Sequence, residues 1–297
     1  MQQQEEKRED EIRLIRLGEE GYPKRLANIP GPPKQLYWIG ELPREEIPSV
    51  AVIGARDCSE YGRFVAKKLG ETLGKNGIQV ISGMARGIDG IAQEAALKAG
   101  GRSFAVLGSG VDVCYPQSNR PLYERLKTCG GILSEYTPGT PAVGRLFPPR
   151  NRIVSGLADV LIVVEAREKS GTLITTDMAL EQGKDVYVVP GRITDRLSDG
   201  CNRLIRMGAG VILNPEDFVR ELLGVQTSGE DHAFAPELSA ELAPVYAALD
   251  YAPQSVAKIL TGLPAGYGER KLIAMLLQLC MEGIAVQVSP GHFCKKG

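Results

Sequence analysis

The chain is expected to fold as two domains: a doubly wound α/β unit with a mostly parallel sheet, then a small unit of winged-helix type. Three observations predict this. Short apolar runs alternate with helix-length segments from Val50 to Leu223, the β–α repetition that builds a parallel sheet with helices on both faces. The runs are apolar throughout, as in Val160-Leu161-Ile162-Val163-Val164, which suits strands covered on both sides. After a linker-like stretch from Val225 to Pro236 the alternation stops, and helix signals are followed by a hairpin signal.

In chain order, Met1 to Glu20 is an acid-rich leader, and Glu20 to Gly40 is proline-rich and expected to pack irregularly. Residues 1–48 are therefore read as leader and lead-in. Val50–Gly54 is the first expected strand, Glu60–Leu73 a helix, Ile78–Ser82 a second strand and Ile88–Ala99 a helix. Ser103–Leu107 and Gly131–Glu135 read as further strands. Pro148 and Pro149 fix φ and donate no N–H, so they suit the first turn of the next helix. Val160–Val164, Val186–Val189 and Val211–Leu213 complete the strands, with helices at Thr172–Gln182 and Pro215–Leu223.

The main domain is thus expected over 49–224, a linker over 225–238 and the second domain over 239–297. The latter reads as helices Ala240–Leu249, Ser255–Leu263 and Gly268–Met281, then a hairpin from Ile284 to Lys296 turning at Pro290-Gly291. Arg270 and Lys271 lie on its third helix, where a winged helix would read DNA. So few basic residues equally suit a winged helix that contacts protein.

Composition narrows the function. With 43% hydrophobic and 24% charged residues the chain belongs with ordinary soluble globular proteins. No apolar run approaches the ~18 residues of a membrane span, and the N-terminus does not resemble a signal peptide, so a cytoplasmic location is expected. The six cysteines are scattered without a C-x-x-C pair, as reduced thiols would be. The two histidines, His232 and His292, lie outside the main domain, which disfavours zinc chemistry and a histidine-based triad. A net charge of −1 does not advertise nucleic acid, but a weak global charge is compatible with a local basic groove.

In a doubly wound sheet, ligands bind beyond the C-terminal strand ends, so the turns there carry the chemistry. Gly54-Ala55-Arg56 ends the first strand and places Arg56 at the rim, to meet phosphate, stack on a base, or form a structural ion pair. Ser82-Gly83-Met84-Ala85-Arg86-Gly87-Ile88-Asp89 follows the second strand; Gly83 permits close backbone approach and Arg86 adds charge. Gly108-Ser109-Gly110-Val111-Asp112 repeats the device after the third. In Phe147-Pro148-Pro149-Arg150-Asn151-Arg152, basic residues coincide with a helix start, whose N–H groups favour anions. Arg150 and Arg152 diverge by about 200° on a helix, so at most one of them faces a ligand if both are helical. Phe147 is placed to stack a base or to join the core. Ser170-Gly171-Thr172 opens another helix and offers N–H groups and hydroxyls to a phosphate. Lys169 and Arg192 stand beside rim turns as further basic candidates. Glu165 has no evident acid–base partner, so a structural or capping role is expected for it.

The first turn lacks the dinucleotide fingerprint G-x-G-x-x-G, and no Walker motif occurs. The ordered series Gly54-Ala55-Arg56, Ser82 to Asp89, Gly108 to Asp112 with Tyr115-Pro116, Phe147 to Arg152, Val164-Glu165-Ala166, Ser170 to Thr175 and Val189-Pro190-Gly191 resembles the DNA-processing protein A (DprA/Smf) family. The resemblance runs from about Gly21 to Leu223 and more loosely through the tail. It implies an extended Rossmann-like domain that binds single-stranded DNA without cutting it and without a cofactor. It also implies protection of incoming DNA in natural transformation, loading of the RecA recombinase, and a homodimer. The family's usual N-terminal helical module is expected to be missing or reduced here.

A Rossmann-like phosphoribohydrolase is the competing class. Those enzymes carry P-G-G-x-G-T-x-x-E, whereas here Arg-Glu-Lys-Ser precedes Gly171-Thr172 and Thr175 takes the place of the acid. A transcription regulator acting through the tail would need a more basic third helix.

Overall fold

The computed structural model describes residues 11–224, 238–239, 241–264 and 266–295. The chain divides into two compact units, 1–228 and 229–297.

The first unit is built on a nine-stranded sheet. Its strands are β1 (Arg13–Arg16), β2 (Gln35–Gly40), β3 (Ser49–Ile53), β4 (Gln79–Ser82), β5 (Ser103–Val106), β6 (Gly130–Ser134), β7 (Val160–Val163), β8 (Asp185–Val188) and β9 (Gly210–Val211). They lie in the order β1-β2-β6-β5-β4-β3-β7-β8-β9. All neighbours from β6 to β9 are parallel, whereas β1 with β2 and β2 with β6 are antiparallel. The interleaved helices are α1 (Lys24–Ala27), α2 (Glu60–Lys75), α3 (Ile88–Lys98), α4 (Arg120–Cys129), α5 (Phe147–Leu157), α6 (Gly171–Glu181), α7 (Asp199–Arg206) and α8 (Pro215–Leu222).

The unbroken apolar strands follow from coverage on both faces. On β3, Ala51 and Ile53 join a core with Leu26, Ile153, Ala179 and Leu204, from α1, α5, α6 and α7. Val50 and Val52 point the other way, into a core with Val65, Leu69, Ile88 and Phe218, from α2, α3 and α8. The period-2 alternation therefore separates two apolar faces rather than an apolar from a polar one.

Two expectations need correction. The lead-in is not irregular: β1 and β2 extend the sheet beyond β6, so the domain does not begin at residue 49. Leu36 and Trp38 pack on the core of Ala51 and Ile53, and Tyr37 and Ile39 on a further core with Ala105, Leu122 and Leu126, while Pro32, Pro33 and Pro43 flank the strand without interrupting it. In addition, α1, α4 and α7 form where no helix is expected from sequence. The inward face of α4 consists only of Leu122, Tyr123 and Leu126, among charged residues that hide the pattern. The remaining elements of the first unit match their expected places within a residue or two, the ordinary fraying of ends.

The second unit comprises α9 (Ala243–Ala248), β10 (Gln254–Ser255), α10 (Val256–Thr261), α11 (Glu269–Met281), β11 (Ala285–Ser289) and β12 (His292–Lys295). The last two strands form the expected hairpin, with Gly291 at φ 72° in its turn, and β10 pairs with β12. Val245, Ile259, Leu272, Leu276 and Phe293 form its own core. The expected linker from Val225 to Pro236, and Ala240, lie outside the described residues. No helix among the described residues is long and apolar enough to cross a membrane.

Candidate nucleic-acid interface

β3 and β7 are neighbours, but the chain leaves β3 for α2 on one face and leaves β7 for α6 on the other. The crevice between such strands opens at their C-terminal ends. A groove of about 700 Å³ lies there. It is lined by the turns after β3 (Gly54–Asp57) and β4 (Gly83, Ala85), by Tyr115, by the start of α5 (Phe147, Pro148, Arg150, Asn151), by Ala166 and Arg167, and by Ser170, Gly171, Thr172, Ile174 and Thr175 at the start of α6.

Aromatic rings and a cation stand at one side of the groove. Tyr115 and Phe147 stack with centroids 5.6 Å apart and planes at 21°, and the Arg56 guanidinium lies 5.8 Å from the Phe147 centroid. Gly108 makes this possible, because a Cβ there would come within 2.6 Å of the Phe147 ring. Arg56 is exposed, and so is Arg86, which pairs with Asp57 at 3.7 Å.

The groove floor is different. Arg150 is only 6% exposed; its Nη1 donates to the Gly83 carbonyl at 3.1 Å and its Nε has no partner. A Cβ on Gly83 would lie 2.7 Å from Arg150 Nη2, so glycine is what admits the guanidinium. Asp89, also buried, accepts the Gly83 N–H at 3.1 Å. Burial pushes the Arg150 pKa down to about 10 against the opposing pull of Asp89, which still leaves Arg150 charged at neutral pH. Burial likewise raises Asp89, against the Arg150 charge.

The N-terminus of α6 completes the site. Ser170 occupies the N-cap without making a side-chain cap bond, its Oγ is buried without a partner, and the first turn carries no acidic residue. Open space surrounds the position of a Gly171 Cβ. Ser170, Gly171 and Thr172 all line the groove, so the partial positive charge of the helix end faces it.

The third rim turn does not offer the expected cradle. The Gly110 N–H donates to Thr140 O at 2.9 Å, and Ser109 is buried with its hydroxyl donating to the Gly110 and Val113 carbonyls. Asp112 accepts the Gly139 N–H, so the loop from Thr137 to Thr140 closes over this turn. Neither Ser109 nor Gly110 lines the groove.

Arg152 is also turned away. It forms a two-pronged pair with Glu135, with both contacts at 2.7 Å, and donates to the Gly31 and Pro149 carbonyls. The predicted divergence of the two arginines is thus resolved with Arg150 on the groove side, and Arg152 holds α5 to the end of β6. Lys169 and Arg192 are exposed near the rim without lining the groove. Arg167 and Tyr115 line it too, beyond the binding residues expected from sequence. Their signal was position alone: Arg167 lies just past the end of β7, and Tyr115 follows the third rim turn.

Glu165 has a structural role, holding the N-cap residue of α2. Its carboxylate accepts the Ser59 N–H at 2.9 Å and the Ser59 hydroxyl, and Ser59 Oγ in turn accepts the Gly62 N–H at the start of α2. No cluster of three or more His, Cys, Asp or Glu side chains suited to a metal occurs among the described residues.

Residues 13–223 match the family model for DNA recombination-mediator protein A. The DNA processing protein DprA of Streptococcus pneumoniae is 42% identical over 200 residues, 67% of this chain and 71% of that protein. An X-ray structure of DprA from the same species aligns with a TM-score of 0.68 at 39% identity, covering 74% of this chain and 78% of that one. The DNA processing protein A of Helicobacter pylori, whose structure addresses its single-stranded DNA binding mode, aligns with a TM-score of 0.65 at 32% identity. That alignment covers 73% of this chain and 98% of the other.

Proposed function

The chain belongs to the DNA recombination-mediator protein A family, and from that premise we propose that its groove binds single-stranded DNA, protects it, and passes it to the RecA recombinase without cutting it. The observation that carries this reading is the pairing of two kinds of contact in one groove. Arg150 and the α6 N-terminus address phosphate, while Phe147, Tyr115 and Arg56 offer faces on which a base stacks. A rigid duplex keeps its bases in its own stack and cannot use the second set. Asn151 and Arg167 line the same groove, and Arg86, Lys169 and Arg192 add positive charge around it.

The site is proposed to be a binding site and not a catalytic one. Glu165 spends its carboxylate on Ser59, and a buried Thr175 stands where the phosphoribohydrolases carry their acid. A homodimer, a cytoplasmic location and a winged-helix role for residues 239–297 belong to the same proposal.

Salt titration of binding to matched single- and double-stranded oligonucleotides tests it. Single strands should bind more tightly with little dependence on sequence, and affinity should fall as salt rises because neutralised phosphates release counterions. Equal or tighter binding to a blunt duplex overturns the reading.

A further inference from the structure

We infer that the groove floor is a seat for one phosphomonoester, the phosphate of a strand end or of a free mononucleotide; this rests on the reading of the groove as a single-stranded DNA site. Two polar atoms on different elements lead to it. Arg150 Nε, on α5, and Ser170 Oγ, at the N-cap of α6, are both sealed from water without a hydrogen-bond partner, and both residues line the same groove. Buried polar groups are almost always satisfied, so two donors without an acceptor, on residues that line one groove, point to an acceptor that a ligand brings. A serine at an N-cap ordinarily accepts a bond from the first turn, and Ser170 does not, which leaves its hydroxyl and the adjacent N–H groups of this eleven-residue helix to a ligand.

Depth, charge and size select a monoester over an internal diester. Arg150 is nine-tenths buried, so a phosphate reaches it end on, whereas a phosphate within a strand needs an exit for the sugar on each side. A monoester carries about −1.5 to −2 charge at neutral pH, a better match than a singly charged diester for a buried guanidinium and a helix N-terminus together. The volume of about 700 Å³ falls within the range of small-molecule sites, as a seat for a mononucleotide requires. With its phosphate on the floor, that unit has the Phe147–Tyr115 pair beside it for its base.

The full chain is titrated with labelled oligothymidylates of one length carrying a 5′-phosphate, a 3′-phosphate or hydroxyls at both ends, and with a circular single strand. Thymidine monophosphate serves as competitor. One phosphorylated end should bind about tenfold more tightly than the hydroxyl-ended strand, the gain of one charge-assisted hydrogen bond. Ser170→Ala should abolish that gain without lowering the melting temperature, because the hydroxyl removed has no hydrogen-bond partner within the protein. Arg150→Lys should abolish it as well, and Ser170→Ala decides the matter if Arg150→Lys does not fold. Competition by the mononucleotide against the phosphorylated strand, lost in Ser170→Ala, extends the seat to the free ligand. Equal binding of all the strands with no competition overturns the inference and leaves the single-strand reading intact. If no strand binds, the single-strand reading fails; mononucleotide binding that Ser170→Ala abolishes would still uphold the seat, and its absence would overturn that too.

Discussion

At the scale of single residues, three arginines near one helix start have three different surroundings. Arg56 is exposed beside an aromatic pair, Arg150 is enclosed beneath the Gly83 carbonyl, and Arg152 is committed to Glu135. Arg56→Ala should therefore weaken single-strand binding by about 1 kcal/mol, roughly fivefold, with the melting temperature unchanged. If Arg56 contacts phosphate, the log–log salt slope should also fall by roughly 0.7; if it only stacks, affinity falls with the slope intact. Titration at several salt concentrations separates the two roles. Arg152→Ala has the opposite signature. It leaves the Glu135 carboxylate, largely buried, without its partner, and stability should fall by about 3 kcal/mol. Affinity and slope should hold at temperatures where the variant remains folded, as read by denaturant unfolding beside binding. Loss of affinity in a fully folded Arg152→Ala would return that side chain to the interface. Sequence spacing established that the two arginines diverge; it could not say which way, because Glu135 belongs to another element.

At the scale of elements, β1 and β2 show where local signals mislead. Prolines clustered around Gln35–Gly40 read as irregular chain, yet β2 is an inner strand between β1 and β6. It contributes Leu36 and Ile39 to two cores. A chain beginning at Ser49 should accordingly lose cooperative unfolding or aggregate. Its truncation uncovers the edge of β6 and the apolar side chains that β2 had covered. Size-exclusion chromatography and thermal melting check this, and a monomeric chain with an unchanged melting temperature would reduce β1 and β2 to an ornament. The parallel strands were legible because burial on both faces makes each an unbroken apolar run. The third rim turn departs from expectation for the opposite reason: its glycines suit a phosphate cradle, but the loop from Thr137 to Thr140 takes up the Gly110 N–H.

At the scale of the whole molecule, a chain of net charge −1 gathers its basic rim from distant segments. Arg56, Arg150 and Arg167 follow or flank different strands, and the reversal of winding at β3 and β7 brings them to one groove. Every residue of the groove lies in the first unit, and the second has its own core. Ending the chain at Gly224 should thus leave a folded protein with undiminished affinity for single strands. A truncated protein with intact circular dichroism and no binding would transfer the site to residues 239–297.

The sequence by itself determined the β–α alternation, the places of most strands, the rim turns at their ends and the family to which they point. Each of these depends on neighbours in the chain: periodicity of burial, the stereochemistry of proline and glycine, and the order of short motifs. Tertiary structure alone decided that β2 enters the sheet, that Ser109 and Gly110 are closed off, that Arg152 pairs with Glu135, and that Arg150 Nε and Ser170 Oγ are left without partners. These are matters of what packs opposite a group, since a polar atom's free energy is set by the acceptor or charge that reaches it. That partner usually comes from a part of the chain remote in sequence, as Glu135 does for Arg152.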